Sequence, residues 1–136
     1  MDRPRHKKII DELKDLNVNI KLITDGDVQG ALYVSDPKYN IDMFMGIGGG
    51  PEGVLAASAL DAYNCFFQGR FIFDNDKDKN TATALGIKDL YKKYELNEIV
   101  SGDSIFCATG ITSGDLVSGI KLVGSEFVSE TLITHK

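Results

Sequence analysis

The stretch IDMFMGIGGGPEGVLAASALDAYN, Ile41–Asn64, decides how this chain is read. Its first seven residues, Ile41–Ile47, are mostly apolar, as in a strand buried on both faces of a parallel sheet. Glycines stand at Gly48–Gly50, and Pro51, Glu52 and Gly53 complete GIGGGPEG at Gly46–Gly53. Val54–Asn64 is a strongly helical run. Strand, glycine turn and helix in that order make the corner where open α/β sheets bind ligands, outside the carboxyl ends of the strands. Glycines admit a ligand close to the backbone, and free amides at the helix start favour an anion. Two familiar phosphate motifs are excluded. The dinucleotide fingerprint G-x-G-x-x-G, begun at Gly46, meets Pro51 in its sixth place, and a P-loop requires a Gly-Lys-Ser/Thr that is absent.

Pro51 suits the first helical position, which places Glu52 in the first turn. There a carboxylate either complements the helix dipole, worth about 0.3–1 kcal/mol, or supplies an oxygen ligand to Mg²⁺ or Mn²⁺ beside a substrate phosphate. Spacing alone leaves both readings open.

Working outward, Pro4–Leu16 reads as a helix, with Ile9, Ile10, Leu13 and Leu16 forming an apolar stripe. Val18–Thr24 alternates as a strand does. Asp25-Gly26-Asp27 follows it, then a short helical stretch near Val28–Val34 and a turn cluster at Ser35–Asn40. Beyond the central stretch, Gly69–Asp74 reads as a short strand, Thr81–Tyr94 as a helix and Ser104–Thr112 as a strand. The tail is rich in β-branched residues, with turns at Gly119 and Gly124, and reads as a meander or hairpin. The expected architecture is one α/β domain over residues 1–136. Its sheet is mainly parallel with crossover helices and carries antiparallel strands at its carboxy-terminal edge.

The 136 residues carry a formal charge of −5, which disfavours nucleic-acid binding through a global field. No apolar run is long enough to span a membrane, and the first residues lack a secretory signal. Cys65 and Cys107 have no CxxC spacing and read as reduced core thiols of a cytoplasmic protein. The first eight residues concentrate Arg3, Arg5, His6, Lys7 and Lys8 against Asp2, either an anion site or the solvated start of a helix. Asp25-Gly26-Asp27 follows a strand, a ligand-facing position, while Asp25 or Asp27 equally suits the cap of the next helix. Asp74–Asn80, DNDKDKN, fails as a calcium loop, because an EF-hand begun at Asp74 needs Gly at Lys79 and Glu at Leu85.

Five segments occur in order: DRPRH at Asp2–His6, DGDV at Asp25–Val28, GIGGGPEG at Gly46–Gly53, ATGIT-SGDL at Ala108–Leu116 and SETL at Ser129–Leu132. Together, and over essentially the entire chain, they resemble the motifs of class II (GlpX-type) fructose-1,6-bisphosphatases. The resemblance implies the carboxy-terminal half of a layered α/β fold similar to the inositol-monophosphatase superfamily of metal-dependent phosphatases. It implies removal of the 1-phosphate of fructose 1,6-bisphosphate, and in some members that of sedoheptulose 1,7-bisphosphate, in gluconeogenesis and related carbohydrate metabolism. By the same resemblance Arg3, Pro4 and Arg5 hold the distal phosphate, Asp25, Gly26 and Asp27 recognise the sugar, Gly49 contacts substrate and Glu52 binds Mn²⁺ or Mg²⁺. His6 is expected to stand behind the site or at the surface, and ATGITSGD to be structural. Gly50 departs slightly, at a place where relatives also use Ala.

In the family the remaining metal ligands come from an amino-terminal half that this sequence lacks. One Glu cannot hold divalent ions that need several oxygen ligands, so no complete catalytic set is expected in the chain alone. It then stands as a portion of a phosphatase, as one chain of a split enzyme with an amino-terminal partner, as a non-catalytic sugar-phosphate-binding or assembly module, or as the product of a decayed gene. A face left uncovered by the missing half is expected to favour a homo-oligomer.

Overall fold

A computed structural model describes residues 1–136. A 3-10 turn at Pro4–His6 leads into helix α1, Lys7–Asp15. Helix α2, Asp27–Leu32, runs on into a 3-10 turn at Tyr33–Ser35. Helix α3, Gly50–Asp61, follows the glycine turn. Then come strand β1 (Gln68–Arg70), helix α4 (Asp76–Ala84), strand β2 (Lys93–Glu95), helix α5 (Leu96–Ile99) and strand β3 (Ile105–Thr109). Strands β4 (Lys121–Val123), β5 (Glu126–Val128) and β6 (Thr131–His135) end the chain.

The core forms where α2 and α3 cross. Ala31 and Leu32 meet Ala56, Ala59 and Leu60, and Phe106 of β3 closes the cluster from the sheet side. Alanine on the facing surface of α3 lets the two backbones approach closely, and Leu32 is the largest side chain in the molecule to be fully enclosed. Val28, Phe44 and Leu132 pack around the rim.

A polar network fastens α2 to the loop before β4. Tyr33 Oη accepts from Gln29 Nε2 at 2.7 Å and donates to Asp115 Oδ2 at 3.1 Å, and Tyr39 Oη donates to the Asp115 carbonyl at 3.0 Å. Burial, reinforced by Asp115, pushes the Tyr33 phenol above its ordinary pKa and keeps it a donor. The ATGITSGD segment is closed from the other side by the SETL stretch. The Glu130 carboxylate accepts from the Ser118 amide at 2.7 Å, and the Glu130 carbonyl accepts from the Gly110 amide at 2.9 Å. Gly110 lies so close to the Ser118 carbonyl that no side chain fits between them.

All strand pairing is antiparallel: β1 with β2, β3 with β6 and β4 with β5. The carboxy-terminal antiparallel strands agree with expectation, and the chain is α/β. The mainly parallel sheet does not form within this chain, which holds three separate two-stranded ribbons. Val18–Thr24 and Ile41–Ile47 are not ladder strands, and the second is largely exposed rather than buried. Residues 41–48 make no backbone–backbone hydrogen bond. The helix expected over Thr81–Tyr94 starts earlier and stops sooner, as α4. Asn75 caps it by accepting from the Asp78 amide at 2.9 Å, so DNDKDKN is a helix start, and Gly86, at φ +93°, lies beyond its end. Cys65 is half-buried, its thiol pushed up in pKa by burial, but Cys107 is exposed. Phe106 faces the core, so the alternation of β3 turns Cys107 outward.

Only 15 of the 136 residues are buried. The accessible surface is 9799 Å², about 2,800 Å² more than the roughly 7,000 Å² of a compact monomer of this mass. Large apolar side chains contribute to the exposed surface. Phe127 is 79% exposed, Ile105 71% and Ile133 63%, and Ile105, Cys107 and Ile133 share the outer face of the β3–β6 ribbon. Helix α3 likewise leaves Val54 and Leu55 about half exposed.

These facts make two predictions. Leu32→Ala should lower the unfolding free energy by about 2–5 kcal/mol in urea titration, while Phe127→Ala should change it by no more than about 0.5 kcal/mol. The Ser118 amide holds the Glu130 carboxyl below its ordinary pKa. A depressed folded-state pKa contributes stability above the unfolded value, near 4.3, that is lost as pH falls through the folded value. The stability gap between the wild-type chain and Glu130→Ala should therefore narrow on acidification below about pH 4.3; a gap constant from pH 7 to 2 would contradict this.

Candidate functional site

The Pro4–His6 turn is the point where the site is assembled. Pro4 starts it with a fixed φ, and the His6 amide closes it on the Arg3 carbonyl at 2.9 Å. From this turn, side chains reach two distant extended segments. Arg3 Nη2 donates to the Thr24 carbonyl at 3.0 Å, and the Asp2 amide donates to the Ile23 carbonyl at 2.9 Å. Arg5 Nε donates to the Ile47 carbonyl at 2.6 Å, and the Ile47 amide donates to His6 Nε2 at 2.7 Å. The turn therefore holds the chain just before Asp25-Gly26-Asp27 and just before Gly48–Gly50.

Each held segment enters a helix. Gly26 adopts the left-handed conformation, φ +83° and ψ +64°, which a residue with Cβ reaches only at a cost. Its amide donates to Asp25 Oδ1 at 2.9 Å, a local turn contact. Asp27 then opens α2, and its carboxylate lies against Gly48: a methyl group there would meet Asp27 Oδ2 at 2.7 Å. Gly49 is the residue before α3, and the Gly53 amide donates to its carbonyl at 3.1 Å. Glu52 lies in the first turn, with its carboxylate folded back over Gly49 where a side chain would otherwise stand. Two carboxylates thus flank adjacent glycines, one from each helix start.

The structure brings Arg3, Arg5, Asp27, Gly49 and Glu52 into one neighbourhood, with Pro4 and Gly26 shaping the turns that deliver them. Asp25 is exposed and engaged only with its own turn. Arg3 and Arg5 are exposed and each uses part of its fork on a carbonyl, leaving further N–H donors for an anion. Of the two places expected for His6, behind the site or at the surface, the structure shows the first, though the sequence did not indicate which backbone group it holds. His6 is buried, 2% exposed, rather than at the surface. Burial of one histidine within a basic run leaves no mark in spacing or composition.

The whole chain, residues 1–136, matches the family described as bacterial fructose-1,6-bisphosphatase, glpX-encoded. The chain belongs to that family. It is 38% identical over 146 residues to a D-fructose 1,6-bisphosphatase class 2/sedoheptulose 1,7-bisphosphatase of Synechococcus sp. (strain JA-2-3B'a(2-13)), an alignment covering 98% of this chain and 42% of that protein. A protein of the same description from Trichodesmium erythraeum (strain IMS101) is 36% identical, with the same coverage. The chain thus spans about two-fifths of the length of the relatives it matches. No helix is long and apolar enough to cross a membrane.

Whether these residues suit a divalent cation follows from the donor set. No cluster of three or more His, Cys, Asp or Glu side chains converges anywhere in the chain. Mg²⁺ takes about six oxygens in near-octahedral geometry. Glu52 offers one carboxylate, so the chain alone does not make such a site, and no metal-dependent step follows from its residues. The guanidiniums of Arg3 and Arg5 are tied to the backbone segments that lead into the helices carrying Asp27 and Glu52.

Gly26→Ala should cost about 1–2 kcal/mol through left-handed strain, read as a lowered urea midpoint. An unchanged midpoint would show that the Asp25–Asp27 turn does not require this conformation.

Proposed function

We propose that this chain is the carboxy-terminal, substrate-holding portion of a metal-dependent fructose-1,6-bisphosphatase. The observation that carries this reading is the single neighbourhood formed by the Arg3–Arg5 turn, Asp27 and the Gly49–Glu52 corner. Arginine suits a phosphate because its planar fork makes paired, charge-assisted hydrogen bonds, and one donor of Arg5 is already fixed on the Ile47 carbonyl. Pre-fixing the guanidinium lowers the ordering cost on binding. Asp25 and Asp27 accept from sugar hydroxyls, Gly26 and Gly49 admit the sugar close to the backbone, and Glu52 contributes one oxygen ligand to Mn²⁺ or Mg²⁺. The relatives' description supports fructose 1,6-bisphosphate, and also sedoheptulose 1,7-bisphosphate, as the substrate class.

In this proposal the opposite wall, with the other metal ligands and the groups that direct water at the 1-phosphate, lies in sequence outside this chain. The relatives' greater length supports it, as do the exposed large apolar side chains. The unpaired segments Val18–Thr24 and Ile41–Ile47 and the open edges of the ribbons would there join a larger layered sheet, similar to that of the inositol-monophosphatase superfamily. The excess surface is of the size that permanent interfaces bury.

The 136-residue chain alone should release no phosphate from fructose 1,6-bisphosphate with Mn²⁺, whereas turnover near the enzymatic range of about 1–10³ s⁻¹ would overturn the proposal. Adding the remaining family sequence as a second polypeptide should produce activity, and Glu52→Ala should abolish it. In calorimetry, fructose 6-phosphate should bind the chain, and Arg5→Ala should weaken binding by about 10–100-fold, as expected for a charged hydrogen bond. Absence of heat at millimolar ligand would remove the binding role.

A further inference from the structure

His6 and Arg5 hold both backbone polar atoms of one residue, Ile47, and nothing in the backbone shares that task. The Ile47 amide donates to His6 Nε2 at 2.7 Å, and the Ile47 carbonyl accepts from Arg5 Nε at 2.6 Å. Residues 41–48 have no backbone–backbone hydrogen bond. Ile47 is also the last residue with a side chain before Gly48–Gly50, three residues with unusual backbone freedom. Without an anchor there, the approach to Gly49 and Glu52 would have no fixed origin.

The histidine is built for that anchor. It is 2% exposed, and Nδ1 has no partner. To accept from the Ile47 amide, Nε2 must carry a lone pair, so a neutral ring holds its proton on Nδ1. A buried, unpartnered N–H is a cost the fold retains. A side chain chosen for packing alone would be apolar at this position. The carbonyl of the same residue accepts from Arg5, whose remaining N–H groups stay available.

We propose that His6 is a positioning residue: through the Nδ1–H tautomer it holds the Ile47 amide, and with Arg5 it sets the direction in which Gly48–Glu52 faces the substrate. That role rests on the reading of Gly49 and Glu52 as site residues. The holding itself can be tested without any ligand.

In the ¹⁵N-labelled 136-residue chain, long-range ¹H–¹⁵N spectra should show His6 with Nε2 unprotonated and Nδ1 protonated. Hydrogen exchange at the Ile47 amide should be slow. His6→Leu should speed that exchange about tenfold, the effect of one lost hydrogen bond, and should shift the amide resonances of Gly48–Glu52. His6→Gln, which keeps an acceptor at the end of a side chain of similar reach, should restore both, and the amides of β3 and β6 should be indifferent to either change. An Nε2–H tautomer, a doubly protonated ring, or a His6→Leu chain with unchanged Ile47 exchange would overturn the proposal. Should His6→Leu fail to fold, the wild-type tautomer and the His6→Gln spectra decide. Loss of sugar-phosphate binding in the wild-type chain would count against the substrate-holding function, whereas an incorrect tautomer counts against the anchor.

Discussion

The grip of one 3-10 turn on two distant stretches of backbone is the constraint on which the site depends. Arg3 holds the Thr24 carbonyl, and Arg5 with His6 holds Ile47 by both its polar atoms. Neither held segment is in a ladder, so side chains here do the work that neighbouring strands do elsewhere. The consequence reaches both helix starts. Asp27 and Glu52 come to flank Gly48 and Gly49 because the chain entering each helix is fixed from the same short turn.

In the proposed function the basic start of the chain does two jobs, holding backbone and binding phosphate. A guanidinium has five N–H donors in a planar fork. Spending one on a carbonyl restricts the group and leaves the other donors available. Lysine, with a rotating ammonium on a flexible stem, could not combine the roles. The α2–α3 core stabilises the arrangement from beneath, because the two carboxylates ride on the first turns of the helices that form it.

The accessible surface divides the molecule into a finished part and an open part. Around Leu32 and Leu60 the packing is that of an ordinary small core. On the outer face of the β3–β6 ribbon, Ile105, Cys107 and Ile133 lie in a row with nothing above them. A two-stranded ribbon with two apolar faces is marginal by itself. Its composition suits the interior of a larger layered fold, as does the alanine-rich helix α3, apolar around much of its circumference.

Local pattern alone was enough to read α1, α2, α3 and the antiparallel tail, because helical spacing, caps and β-branched alternation act within a few residues. The five ordered motifs were enough to place the chain in its family and to name the candidate site residues. The sequence could not show where the apolar run Ile41–Ile47 finds its hydrogen bonds, since a strand needs a neighbour and a run of apolar residues cannot name one. It placed α4 over Thr81–Tyr94, although the Asn75 cap starts this helix earlier and Gly86, at positive φ, lies beyond its end. Nor could it show that His6 is buried on Ile47, a contact spanning 41 residues of chain. What the sequence by itself determined was chemistry and local conformation: guanidinium, carboxylate and glycine, each at a turn. Only the tertiary structure decided that these turns converge, because convergence rests on long-range contacts such as the grip on Ile47, which no local preference encodes.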